Sequence, residues 1–129
     1  MGESHVTDAP RAFEVDDVEV GRAPGVAVRG EVDLATVTVL EEALDAAIRE
    51  SEGAFMLDLS DVDFIDSSGL HALLRARGLL GREDRSLGLI CRPGAARRAL
   101  EVSGIADLFL IYDTREEAAA ALVRATRGS

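Results

Sequence analysis

The chain contains no lysine: all 14 basic residues are arginine, set against 24 acidic ones, for a formal net charge of -10. So acidic a chain lacks the basic patch that a phosphate backbone requires, which argues against direct nucleic-acid binding. The same repulsion argues against an anionic membrane surface. Cysteine is nearly absent. Cys91 is alone, so no intrachain disulfide can form, and with only His5 and His71 elsewhere no zinc-ligand spacing appears. Tryptophan is missing and aromatics make up 4%, while 47% of residues are hydrophobic; the core must be built from Val, Leu, Ile and Ala. No apolar run reaches the roughly 18 residues of a membrane span. The first ten residues, MGESHVTDAP, show neither the basic nor the apolar region of a secretory signal. The expectation is a soluble, cytoplasmic protein. No G-x-x-x-x-G-K-[ST] loop, G-x-G-x-x-G turn or G-x-S-x-G elbow is present, and no cofactor or metal is implied.

What is present is an alternation of strand and helix patterns. Residues 1–11 are small and polar and read as a flexible tail, leaving one domain over 12–126. Phe13 to Val20 has strand composition, with a slip of phase at Asp16-Asp17 that suggests a bulge. Gly21 to Gly25 reads as a turn and Val26 to Val32 as a second strand, so the two form a hairpin. Val37, Leu40, Leu44, Ala47 and Ile48 share one helical face, with a capping box suggested at Thr38 and Glu41 or, alternatively, a helix start a few residues earlier. Ala54 to Leu59 is apolar on both faces apart from Asp58, as in a central strand covered by helices. An acidic loop with Asp61 and Asp63 follows. Leu70, Leu73, Leu74 and Leu80 then mark a second helix, and Leu87 to Cys91 a fourth strand. A short helix carries Ala95, Ala99, Leu100 and Val102, Phe109 to Tyr112 forms a fifth strand, and a last helix opens at Thr114-Arg-Glu-Glu117, a second capping-box pattern. This order implies an α/β fold: a mixed, mostly parallel sheet of four to five strands with about four helices and one antiparallel edge strand.

The most informative stretch is Met56-Leu-Asp-Leu-Ser-Asp-Val-Asp-Phe-Ile-Asp-Ser-Ser-Gly-Leu70. It ends in a helix that begins at paired serines. A hydroxyl there is exposed, beside outward-pointing N–H groups and the positive end of the helix dipole, a setting that tolerates a phosphate. No His/Asp relay accompanies it, so the serine suits receiving a charge better than attacking a substrate. The plainer alternative is that Ser67 is only a helix cap, worth about 1 kcal/mol. Ser68 reads as a cap or first-turn residue. Asp66 and Asp33 are cap or turn candidates, and Asp58 a hydrogen-bonded structural group. Gly69 reads as a point of close approach or a tolerated first-turn glycine. His71 is expected to be an exposed helix residue and Cys91 a buried one.

Gly30-Glu-Val-Asp33 and Phe64-Ile-Asp-Ser-Ser-Gly-Leu70, with the later Val102-Ser-Gly-Ile105, resemble a STAS domain of the anti-sigma factor antagonist type over about Phe13 to Arg124. The resemblance implies partner switching. The unphosphorylated antagonist binds an anti-sigma factor that is also a serine kinase of the histidine-kinase-like ATPase fold, and so frees the sigma factor. Phosphorylation of the first motif serine, here Ser67, ends the binding, and a serine phosphatase restores it. Asp33 and the segment Asp66, Ser67, Ser68, Gly69 and Leu70 are then the partner-facing surface, and no catalysis by the chain itself is expected. His71 departs from the small residue typical of that position. Two rival readings are a phosphorylation-independent STAS subunit of a transporter-associated or stress-sensing assembly, and a small nucleotide- or phosphate-handling enzyme.

Overall fold

The computed structural model describes residues 12–127; the expected N-terminal tail lies outside them. The elements are β1 (Glu14–Val20), β2 (Ala23–Val32), α1 (Val37–Arg49), β3 (Phe55–Ile65), α2 (Ser67–Gly81), β4 (Leu87–Ile90), α3 (Ala95–Val102), a short 3-10 turn (Ala106–Leu108), β5 (Leu110–Tyr112) and α4 (Arg115–Arg127). The strands lie side by side in chain order in one sheet. β1 is antiparallel to β2, and every later neighbour is parallel. This is the mixed α/β sheet expected from the alternation.

The strands bury side chains on both faces. Val26, Val28, Phe55, Leu57, Leu59, Leu87 and Leu89 form the larger core with α1, α2 and α3. Val20, Met56 and Ile90 face the other way, against Ala118 of α4. The parity of 2 along β3 and β4 thus assigns alternate residues to the two layers. Asp58 faces α4 and is 5% exposed. It accepts from the Ser60 N–H at 2.9 Å and pairs with the Arg115 guanidinium, fastening the start of α4 to the sheet. The structural role expected for it holds. Cys91 is buried, and burial pushes its thiol up to about 11, so it is an unreactive core residue.

Several sequence expectations are corrected. The Asp16-Asp17 slip is not a bulge, because β1 pairs with β2 without interruption. Instead the apolar set changes face along the strand: Phe13 and Val15 pack toward the larger core, Val18 and Val20 toward α4. The hairpin turn is tighter than expected. Only Gly21-Arg22 separates paired Val20 and Ala23, and Pro24 fits in β2 because pairing with β3 starts at Gly25. The acidic segment with Asp61 and Asp63 is no loop. β3 runs through it to Ile65, and two shifts in the β2–β3 register absorb extra residues of β3. Those irregularities break the alternation that marks a strand. Thr38 does not cap α1; the N-cap is Thr36. Val102 is 81% exposed, since Ala96 and Leu100 carry the buried face of α3.

β3 has 11 residues, but β4 pairs only with its first four, Phe55 to Asp58. Its second half therefore overhangs the rest of the sheet, held laterally by β2 alone among the strands. The overhang leads directly into α2.

Candidate functional site

β2 and β3 end together, Val32 opposite Ile65. The Asp66 N–H donates to the Val32 carbonyl at 3.0 Å, prolonging that pairing by one step. Asp33 and Asp66 therefore leave adjacent parallel strands at their C-terminal ends, where open α/β sheets gather ligand surfaces.

Asp66 is the N-cap of α2. Its Oδ1 accepts from the Ser68 N–H at 2.9 Å, the Gly69 N–H at 3.1 Å and the Ser68 hydroxyl at 2.6 Å. The Ser68 hydroxyl is the main reason the Asp66 carboxyl sits below the usual carboxylate range; partial burial opposes it, and the N–H groups of Gly69, Ser68 and Leu34 reinforce it. Asp66, not Ser67, thus fills the capping role, which removes the plain explanation for Ser67. Ser67 is the first residue of α2, exposed, and its hydroxyl has no hydrogen-bond partner among the described residues.

Asp33 organises the facing turn. Its Oδ1 accepts from the Ala35 N–H at 3.0 Å and the Thr36 N–H at 3.2 Å, while its own N–H donates to Thr36 Oγ1 at 3.0 Å. The Thr36 hydroxyl in turn donates to the Glu31 carbonyl at 2.8 Å. The turn is fixed before α1 begins, and its Asp33 carboxylate is half-buried.

Two glycines shape the site. Gly30 has φ +103, a conformation side chains avoid, and a Cβ there would meet the Ala12 carbonyl oxygen and Phe13 Cα at 3.2 Å. Gly69 is buried, and a Cβ would lie 2.5 Å from Ile65 Cγ1 and 2.8 Å from Val32 Cγ1. Glycine lets α2 settle onto the two strand ends. Of the expected surface residues, Asp33, Asp66, Ser67 and Ser68 come together at this edge. Gly69 faces inward, and Leu70 is half-buried against the larger core. His71 is exposed on the first turn of α2. Sequence reasoning passed over Leu34, 80% exposed beside Asp33, and Thr36; a lone leucine among turn residues was the available signal.

Among the described residues the arginines of β2 and α2 are engaged. Arg29 of β2 pairs with Glu14, Arg75 of α2 binds Asp45 of α1 through two bonds of 2.7 and 2.9 Å, and Arg77 donates to the Leu108 carbonyl. A depression of about 430 Å³ lies at the far end of α2 around Gly78, Gly81 and Leu108, away from Ser67. Among the described residues no three His, Cys, Asp or Glu side chains could hold a metal ion, and no helix is long and apolar enough to cross a membrane.

The sequence profile of the STAS domain matches residues 15–118. The chain belongs to the STAS domain family. The anti-sigma-F factor antagonist RsfB of Mycobacterium tuberculosis is 28% identical over 110 residues, covering 85% of this chain and 89% of the relative. The anti-sigma-B factor antagonist of Staphylococcus aureus is 29% identical over 91 residues, 70% of this chain and 84% of its own. The crystal structure of an anti-sigma factor antagonist from Mycobacterium paratuberculosis superposes with a TM-score of 0.74 at 34% identity, over 88% of this chain and 94% of that one. This STAS chain therefore shares fold and most of its length with regulatory proteins that oppose anti-sigma factors.

Proposed function

We propose that this STAS domain is an anti-sigma factor antagonist: it binds an anti-sigma factor serine kinase, releases the sigma factor, and is switched off by phosphorylation on Ser67. The observation that carries the reading is an exposed, unengaged serine hydroxyl at the first residue of α2, on an edge where Asp66 already performs the capping. Among the described residues the hydroxyl takes part in no hydrogen bond, which leaves it available to a kinase.

The chemistry of the switch follows from the site. Phosphorylation adds about -1.5 to -2 charges next to the Asp66 carboxylate. The nearby N–H groups of Ser68 and Gly69 are engaged by Asp66, so the phosphate receives the helix dipole but little direct hydrogen bonding. Its charge stays directed outward, into whatever packs on this edge. A partner closed over Ser67 would bury an uncompensated charge at a cost of several kcal/mol, enough to dissociate a micromolar complex. A serine phosphatase reverses the change. Regulation is by binding, and the chain performs no catalysis of its own.

The test has two parts. A tagged chain is used to recover its partner from extracts of its own cells, and the partner is identified by peptide mass and purified. The pair is then incubated with ATP. The expected result is one added phosphate, mapped by peptide sequencing to Ser67. Phosphate confined to any other residue overturns the assignment.

A further inference from the structure

Leu34 is an unusual occupant of its position. It stands in the turn between β2 and α1, where polar residues and glycine are favoured, and it is 80% exposed. Isolated surface leucines are common, but the backbone that carries this one is tied on both sides. On its N-terminal side Asp33 bonds through its N–H and its carboxylate; on its C-terminal side the N–H groups of Ala35 and Thr36 are tied to Asp33. The N–H of Leu34 also lies on the side of the Asp66 carboxylate, whose pKa it helps to lower, and that carboxylate caps the first turn of α2. The Asp66 N–H bond to the Val32 carbonyl, two residues before Leu34, sets this apolar projection beside the segment that carries Ser67. Val39, 52% exposed, follows in the first turn of α1.

We infer that Leu34 is the apolar anchor of the partner-binding edge, inserting into a socket of the anti-sigma factor that is rimmed by arginine or lysine. This deepens the functional reading above and rests on it. An anchor on a backbone already fixed in the free protein loses little backbone freedom on binding, and buried apolar anchors carry a disproportionate share of interface energy. The cationic rim follows from the surroundings. Leu34 is flanked by Asp33 and Asp66, the arginines of β2 and α2 are engaged elsewhere, and the chain carries a net charge of -10. A rim of the opposite sign is the complement to that field. Phosphate on Ser67 would strengthen attraction to distant cations, yet it blocks seating of the anchor by adding bulk and charge next to it.

The test is titration calorimetry with the purified anti-sigma factor recovered as above, against wild type, Leu34→Ala, Leu34→Gln, Val123→Ala and Ser67→Asp. Val123 is a half-exposed apolar residue of α4, outside the site. Leu34→Ala and Leu34→Gln are expected to weaken binding by about tenfold or more, with melting temperatures unchanged; Val123→Ala should match wild type. Raising salt from about 50 to about 500 mM should weaken the wild-type complex. If Ser67→Asp weakens binding while both Leu34 variants bind like wild type, the anchor is overturned and the switch survives. If neither Ser67→Asp nor the Leu34 variants lose affinity, the functional reading itself falls. Affinity indifferent to salt overturns the cationic rim.

Discussion

A phosphate on Ser67 would arrive beside a carboxylate that already occupies the helix end, and that neighbour sets how the proposed switch should behave. Ser67→Ala removes no hydrogen bond of the described fold and should bind the partner constitutively. Ser67→Asp adds one charge and less bulk, so it should imitate the modified form incompletely. Side-by-side affinities are expected to be high for wild type and Ser67→Ala, lower for Ser67→Asp and lowest for phosphorylated protein; equal values across the four would reduce Ser67 to a bystander. Asp66 behaves differently, because its role is structural. Its carboxyl lies below the ordinary range in the folded chain, so its stabilising contribution is complete above the unfolded value and is lost as pH falls through the folded one. Asp66→Ala should cost about 0.5–2 kcal/mol near neutrality, as loss of an N-cap does. In urea denaturation that deficit should shrink as pH drops below about 4; a constant deficit would mean the carboxylate charge is not what stabilises the cap.

At the scale of elements, the seat of α2 and the fastening of α4 are the points most open to test. Gly69→Ala forces a methyl group into Ile65 and Val32, and about 1–3 kcal/mol of destabilisation is expected from such overpacking; a melting temperature equal to wild type would show that the helix shifts freely. Arg115→Ala leaves the buried Asp58 carboxylate with the Ser60 N–H as its remaining hydrogen bond. It should cost about 1–3 kcal/mol in chemical denaturation, more than Asp58→Asn, which removes the buried charge and leaves Arg115, on the half-exposed side of the pair, to be solvated. The reverse order would place the strain on the arginine side. These elements also show what was legible beforehand. The order of strands and helices, the central position of β3 and the pairing of Asp33 with the Ser67 segment were readable, because apolar periodicity and turn residues mark them. The second half of β3 was not, since its two irregularities hide a strand inside an acidic run. The cap of α1 was misplaced because Thr36 bonds backward to Glu31 instead of forward into its helix. The inward turn of Gly69 was hidden as well: a glycine in a first turn looks the same in sequence whether it faces solvent or core.

For the molecule as a whole, stability and recognition are assigned to different places. The large buried side chains, Phe55, Leu57, Leu73, Leu89 and Leu100 among them, lie in the layers between sheet and helices. The proposed switch site stands where β3 runs on past β4, on a ledge of two strands. Phosphorylation there should leave the fold unchanged, and exchanging residues 31–39 and 63–71 with those of another family member should transfer partner choice while the melting temperature stays within a few degrees. Chimaeras that fold yet keep their original partner would place specificity elsewhere. The ledge also bears on descent. After a gene duplication, substitutions confined to it could redirect one copy to a new partner without eroding the shared core. A single cell could then run several such switches in parallel, insulated from one another by a few residues at the tip of one strand pair.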